Sequence, residues 1–252
     1  MRILCVIPAR YASTRLPGKP LRDIAGKPMI CRVYDRAAMA RTLSGVIVAT
    51  DDERILRAVE ENGGRAMMTA REHPTGTDRL AEVAAAYPDM DLIINVQGDE
   101  PLIEPSVIDA LGRVFETDEE LRMATVMAPM EDAKEKENPN NVKVVTDRNG
   151  YALYFSRSML PYPRNDTGCP VYKHIGIYAY RREFLLEFAK MTPTPLERTE
   201  SLEQLRALEN GYRIRCVATD ARFVGVDTEE DLARVNAIYR EMQDNNRKAG
   251  KS

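Results

Sequence analysis

Apolar positions fall into two alternating kinds of stretch: short unbroken runs, and longer segments in which every third or fourth residue is apolar. The run from Ile3 to Ile7 predicts a buried strand. A polar loop follows, then helical spacing from about Pro28 to Arg41. Val46 to Ala49 predicts a second strand; Thr50-Asp51-Asp52-Glu53 behind it reads as the acid-rich start of a helix. That helix runs to about Glu61 and stops at Asn62-Gly63-Gly64. Ala66 to Thr69 predicts a third strand, short and weakly patterned, after which Thr77-Asp78 caps a helix built on Leu80, Val83, Ala84 and Tyr87. Leu92 to Val96 is the clearest buried strand, and Pro105 opens the next helix.

The pattern changes in the middle of the chain. Val142 to Val145 and Tyr151 to Phe155 flank Asp147-Arg148-Asn149-Gly150, a hairpin signal. Pro161 to Pro170 is a proline-bearing loop without periodicity, and His174 to Tyr180 reads as a further strand. Helical spacing returns at Arg182 to Lys190 and at Leu196 to Asn210, closed by Gly211. Ile214 to Ala218 predicts a strand, Thr228 opens a last helix, and from about Gln243 the chain reads as a frayed polar tail. Continuous apolar strands alternating with helices predict an α/β fold with a doubly wound, mostly parallel sheet. Residues 1–240 form one such domain with a smaller lobe at about 129–180, and 241–252 form the tail. In such sheets ligands lie at the carboxyl ends of strands, where Pro8 to Lys19, Thr50-Asp51 and Gln97 to Pro101 all fall.

Charge sharpens this picture at one place. Arg2, Arg10, Arg15, Lys19 and Arg22 precede the first acid, Asp23, in a chain whose net charge is -3. A surplus of cations in a loop stiffened by two prolines and a glycine, after the first strand, points to a polyphosphate ligand; a solvated basic turn is the plain alternative. Neither G-x-x-x-x-G-K-[ST] nor G-x-G-x-x-G occurs, which sets aside two common nucleotide sites. What remains is Arg10, Arg15 and Lys19 with backbone N–H groups approaching phosphates. Asp99, after a buried strand and the Asn-Val-Gln-Gly turn, is placed to hold Mg²⁺, as is Asp227; for each, a turn or capping acid is the ordinary alternative. By pattern alone His174 reads as a core histidine hydrogen-bonded in a strand, and Glu203 and Gln204 as an exposed helix face.

The net charge argues against a nucleic-acid surface, and no apolar run approaches the ~18 residues that cross a bilayer. The start runs directly into the first strand without a small-residue cleavage site, so we expect no signal peptide and a cytoplasmic location. Four cysteines lack C-x-x-C spacing and only two histidines exist, which argues against a zinc cluster; Cys5 and Cys216 read as buried, reduced thiols.

Seven motifs occur in one order: Ile7 to Leu21, Thr75-Gly-Thr-Asp-Arg79, Asn95-Val-Gln-Gly-Asp-Glu-Pro101, Tyr151 to Arg157, Lys173-His-Ile-Gly-Ile-Tyr178, Leu202-Glu-Gln-Leu-Arg206 and Gly225-Val-Asp-Thr228. Together they resemble the 3-deoxy-manno-octulosonate (Kdo) cytidylyltransferases, over about residues 2–238. The resemblance implies a nucleotide-diphospho-sugar transferase-like fold and the reaction CTP + Kdo → CMP-Kdo + pyrophosphate, dependent on Mg²⁺, for lipopolysaccharide biosynthesis. It implies a cytoplasmic homodimer whose smaller lobe helps to bind the sugar and form the dimer. By motif, Pro8, Ala9, Arg10, Ser13, Arg15 and Lys19 would line the triphosphate, and Arg71, Thr75 and Gly76 the cytosine. Asp99 and Asp227 would hold Mg²⁺, and with Arg10 and Lys19 would be catalytic. Gln97, Arg157, His174, Tyr178, Glu203 and Gln204 would surround the sugar. Arg157 and His174, as cations, favour an acidic sugar over a neutral one. An amino-substituted Kdo, a nonulosonate such as sialic acid, or a nucleotide-binding regulator without turnover remain the alternatives.

Overall fold

Every residue of the first strand is apolar, and the computed structural model of the chain, which describes residues 1–12, 16–165 and 167–249, gives the reason. Strand β1 (Ile3–Ala9) lies inside the sheet with both faces covered. Ile3, Cys5, Ile7 and Ala9 point into one core and Leu4 and Val6 into another. The same division holds for β4 (Gly45–Thr50) and β6 (Leu92–Asn95), which flank it in parallel. Each of the Ile, Leu and Val side chains among them, once buried, stabilises the fold by about 1.5–3 kcal/mol.

Between β1 and β4 come a 3₁₀ turn (Lys19–Leu21), a small ribbon of β2 (Asp23–Ile24) with β3 (Lys27–Pro28), and α1 (Met29–Ala38). Helix α2 (Glu53–Glu61), capped by the Asp52 side chain, leads to β5 (Ala66–Met68), and α3 (Gly76–Ala86) leads to β6. Helix α4 (Pro105–Arg113) precedes β7 (Met123–Met130). Then follow α5 (Ala133–Glu137), the hairpin of β8 (Lys143–Thr146) and β9 (Ala152–Ser156), and the long β10 (Val171–Arg181). Helices α6 (Arg182–Phe188), α7 (Pro195–Glu200) and α8 (Gln204–Glu209), strand β11 (Ile214–Ala218) and α9 (Glu229–Ala249) complete the chain.

The sheet runs β11-β7-β10-β6-β1-β4-β5, with β10 antiparallel to both neighbours and the β8–β9 hairpin joined to it through β10. Helices α1, α2 and α4 cover one face, α3, α6 and α8 the other, as a doubly wound sheet requires. A third cluster (Leu16, Ile24, Met29, Val226, Leu232, Val235, Tyr239) docks α9 beneath the loop after β1. Among the described residues no helix is long and apolar enough to cross a membrane.

Three expectations are corrected, and one strand had none. The cap of α3 is Thr75, two residues before the expected Thr77-Asp78, in a capping box with Asp78. The single helix expected at Leu196 to Asn210 is two, broken where Ser201 adopts a left-handed φ of 53°. The frayed tail from Gln243 is helical as far as Ala249. Strand β7, whose core-facing residues are flanked by Pro129, gave no sequence expectation.

Candidate active site

The carboxyl ends of β1, β4, β5 and β6 converge on one rim, and each delivers a loop to it. Pro8 and Ala9 end β1, and with Arg10, Lys19, Gln97, Asp99 and Asp227 they line a cleft of about 390 Å³. The two segments that carry the acids are paired: the Val226 N–H donates to the Asp99 carbonyl at 2.9 Å. Val226 itself is anchored in the core beneath α9, and Arg22 forks onto Glu229 at 2.7 and 2.8 Å. Hydrophobic docking of α9 thus carries Asp227 to the end of β6.

Lys19 stands between the acids. Its Nζ lies 2.6 Å from Asp99 Oδ2 and 2.8 Å from Asp227 Oδ1, with the lysine side chain only 13% exposed. Burial alone lowers the ammonium pKa, but the two carboxylates outweigh it and hold Lys19 above its ordinary value. Gly18, at φ 64°, turns the chain into the 3₁₀ turn that places this lysine, and a Cβ there would stand 3.2 Å from the Tyr11 hydroxyl. Asp99 and Asp227, hard carboxylates that already share one cation, are donors of the kind Mg²⁺ takes and would hold it. Among the described residues no three His, Cys, Asp or Glu side chains gather to bind an ion unaided.

Beside Asp99, burial and then the Asp99 charge push the Glu100 carboxyl up to about 7, and its Oε2 has no hydrogen-bond partner. Sequence reasoning passed over Glu100; its place beside a strand-end acid was the available signal.

Arg10 donates to the carbonyls of His73 and Thr75, which ties the phosphate-loop arginine to the segment expected to read the base. Arg71 is exposed and reaches the Asp51 carbonyl at 3.4 Å, while Thr75 and Gly76 begin α3. Beneath them Arg79, fully buried, bonds Thr69 and lies 3.0 Å from Asp51, bracing the ends of β4 and β5. Ser13 and Arg15 lie outside the described residues. Of the other early cations, Arg2 pairs with Asp89 at the opposite end of β1 and Arg22 with Glu229, so neither belongs to the cleft.

The expected sugar residues come together on the neighbouring side. Gln97 Nε2 donates to the Gly176 carbonyl at 3.1 Å, joining the loop after β6 to a bulge in β10. The His174 and Tyr178 rings are 5.4 Å apart. Burial, then the Glu203 charge, keeps the Tyr178 phenol well above its ordinary pKa. Thr77, in the first turn of α3, donates to Glu203 Oε2, yet burial raises the Glu203 carboxyl. Glu203 Oε1 and the amide nitrogen of buried Gln204 make no hydrogen bond. Neither Glu203 nor Gln204 is therefore on an exposed helix face.

The expected cationic sugar pocket is corrected. Burial pushes His174 down to about 3, so its ring is neutral. Arg157 directs its guanidinium at the carbonyls of Glu200, Pro139 and Ser201, as a strut between the hairpin and the α7–α8 turn. Lys143, fully buried, supports that strut from three carbonyls, including that of Arg157.

The family model described as "Cytidylyltransferase" matches residues 4–214. A 3-deoxy-manno-octulosonate cytidylyltransferase of Geotalea uraniireducens (strain Rf4) is 56% identical, covering 93% of this chain and 98% of the relative. One from Fusobacterium nucleatum is 53% identical, covering 93% and 96%. A solved CMP:2-keto-3-deoxy-manno-octonic acid synthetase complexed with CTP superposes with a TM-score of 0.92 at 45% identity, covering 96% of this chain and 100% of that one. A 4-diphosphocytidyl-2C-methyl-D-erythritol synthase from Anaerococcus prevotii DSM 20548 shares the fold, with a TM-score of 0.64 at 14% identity over 95% and 96%.

Proposed function

The chain belongs to the 3-deoxy-manno-octulosonate cytidylyltransferase family, and on that premise we propose that it transfers a cytidylyl group from CTP to Kdo. The anomeric 2-hydroxyl oxygen attacks the α-phosphorus, the bond to the β-phosphate breaks, and CMP-Kdo, pyrophosphate and the hydroxyl proton are released. The observation that carries this reading is the Lys19 ammonium held between Asp99 and Asp227 in a cleft at the ends of parallel strands.

Both substrates are anions, and two unit charges ~4 Å apart repel by about 4 kcal/mol at an effective dielectric of ~20. Lys19 and Arg10 oppose that repulsion and offset charge gathering on the leaving pyrophosphate. Asp99 and Asp227 would hold Mg²⁺, which when bound screens the phosphates and lowers the pKa of an adjacent sugar hydroxyl. Arg71, Thr75 and Gly76 face the base, with Arg79 bracing the strand ends beneath them. Gln97, Tyr178, His174, Glu203 and Gln204 take the sugar, while Arg157 holds the hairpin in place around it. The reading carries with it a cytoplasmic homodimer and a smaller lobe at about 129–180, with CMP-Kdo destined for lipopolysaccharide.

Pyrophosphate release measured across CTP, UTP, Kdo, amino-substituted Kdo and sialic acid tests it. The expected result is turnover with CTP and Kdo together. Binding of CTP with no release under any pairing rejects it in favour of a regulator.

A further inference from the structure

Strand β10 carries two residues, Gly176 and Ile177, that the ladder with β7 does not match, because the register jumps from Ile175–Val126 to Tyr178–Thr125. The carbonyls freed by that bulge still need donors. Gln97 serves Gly176. The Thr125 hydroxyl, fully buried on β7, lies 2.9 Å from the Ile177 carbonyl and 3.2 Å from that of Ile175. It also lies 2.9 Å from His174 Nε2.

A hydroxyl has one proton to give. If Thr125 gave it to the imidazole, its oxygen would face two carbonyl oxygens at 2.9 and 3.2 Å with no hydrogen between them, in a buried site. The proton therefore goes to the carbonyls, and the hydroxyl accepts from the ring. From this geometry we infer that Thr125 is a positioning residue that fixes His174 as the Nε2–H tautomer, leaving Nδ1 as a hydrogen-bond acceptor for a hydroxyl of the sugar acid. The inference rests on the placement of His174 beside the sugar proposed above.

Three further observations agree. The ring is held between Phe155, edge-on at 5.0 Å, and Tyr178 at 5.4 Å, so its plane is set. Among the described residues the ring makes no second hydrogen bond, and His174 is only half-buried, so Nδ1 is left without a protein partner on a side chain that is not sealed off. The ring is also neutral, so it selects an O–H donor and offers no charge to the sugar carboxylate.

The experiment is a two-bond ¹H–¹⁵N spectrum of the ¹⁵N-histidine-labelled full chain at neutral pH, with His174 assigned by its loss in His174→Gln. The expected spectrum shows a protonated Nε2 and an unprotonated Nδ1, and adding Kdo with CTP in EDTA shifts the Nδ1 resonance as its lone pair is engaged. Thr125→Val is expected to populate the other tautomer and to raise KM for Kdo about five- to tenfold, with KM for CTP and kcat within about twofold; Thr125→Ser restores both. A wild-type ring protonated on Nδ1 overturns the inference without recourse to any variant. So does an Nδ1 resonance that ignores Kdo when His174→Gln still raises KM for the sugar, a result that leaves the placement standing. An unchanged KM for Kdo in His174→Gln overturns the placement itself.

Discussion

Lys19 does two things at once: it neutralises the paired acids Asp99 and Asp227, and it supplies a cation to the cleft. We expect Lys19→Ala to lower kcat by ~10²-fold or more, as loss of one charge contact to the transition state does. Pyrophosphate release at saturating substrates measures this, and a change confined to KM would mean that the lysine binds ground and transition states alike. His174 gives a second expectation, in stability. Its pKa falls from 6.5 to about 3 on folding, so below 6.5 the unfolded chain takes up a proton that the folded chain refuses. The stability it contributes is complete above that value and is lost as pH falls through the window. His174→Gln should flatten that acid limb, seen as urea midpoints at about pH 7 and about pH 4.5. An equally steep limb in the variant would contradict a neutral buried ring.

Helix α3 shows how an element places a site. Its Thr75–Asp78 capping box satisfies the first turn and sets the path of the segment that Arg10 holds. Thr75→Ala should cost about 1 kcal/mol in urea denaturation and raise KM for CTP more than KM for Kdo. Gly98 is a second such point, since a Cβ there would lie 2.8 Å from the Pro8 carbonyl, where the loops after β1 and β6 pass. Gly98→Ala should destabilise by about 1–3 kcal/mol, because neither backbone can yield without moving the cleft. Much at this scale was legible from local pattern: β1, β4 and β6 stand where unbroken apolar runs placed them, because burial on both faces removes the polar alternation. The spacing Thr75-x-x-Asp78 already held the right cap, and reading Thr77 instead ignored it. The antiparallel sense of β10 was not legible, since direction depends on its neighbours rather than on its own residues. Nor was the break at Ser201, after which α8 turns back so that its Arg206 pairs with Glu197 of α7.

At the scale of the molecule, counting charge along the chain mixes positions that folding separates. Arg2 and Arg10 bracket a seven-residue strand, so folding holds them ~26 Å apart, one at each end of the strand. Conversely, residues 99 and 227 meet at a single lysine although the chain between them builds half the fold. The motifs point to these residues; the sheet order and the docking of α9 bring Lys19, Asp99 and Asp227 to one cleft. A site that pairs its groups with the cytosine amine leaves them unpaired with uracil, so CTP should be strongly preferred over UTP, and equal kcat/KM for the two would count against the base assignment. The most direct test of the whole account compares pyrophosphate release by the unaltered chain and by Asp99→Asn, with CTP, Kdo and Mg²⁺ all saturating. The account predicts release from the unaltered chain only when both substrates are present, and a fall of ~10²-fold or more in the variant while CTP still binds. A variant that works at close to the original rate would contradict it.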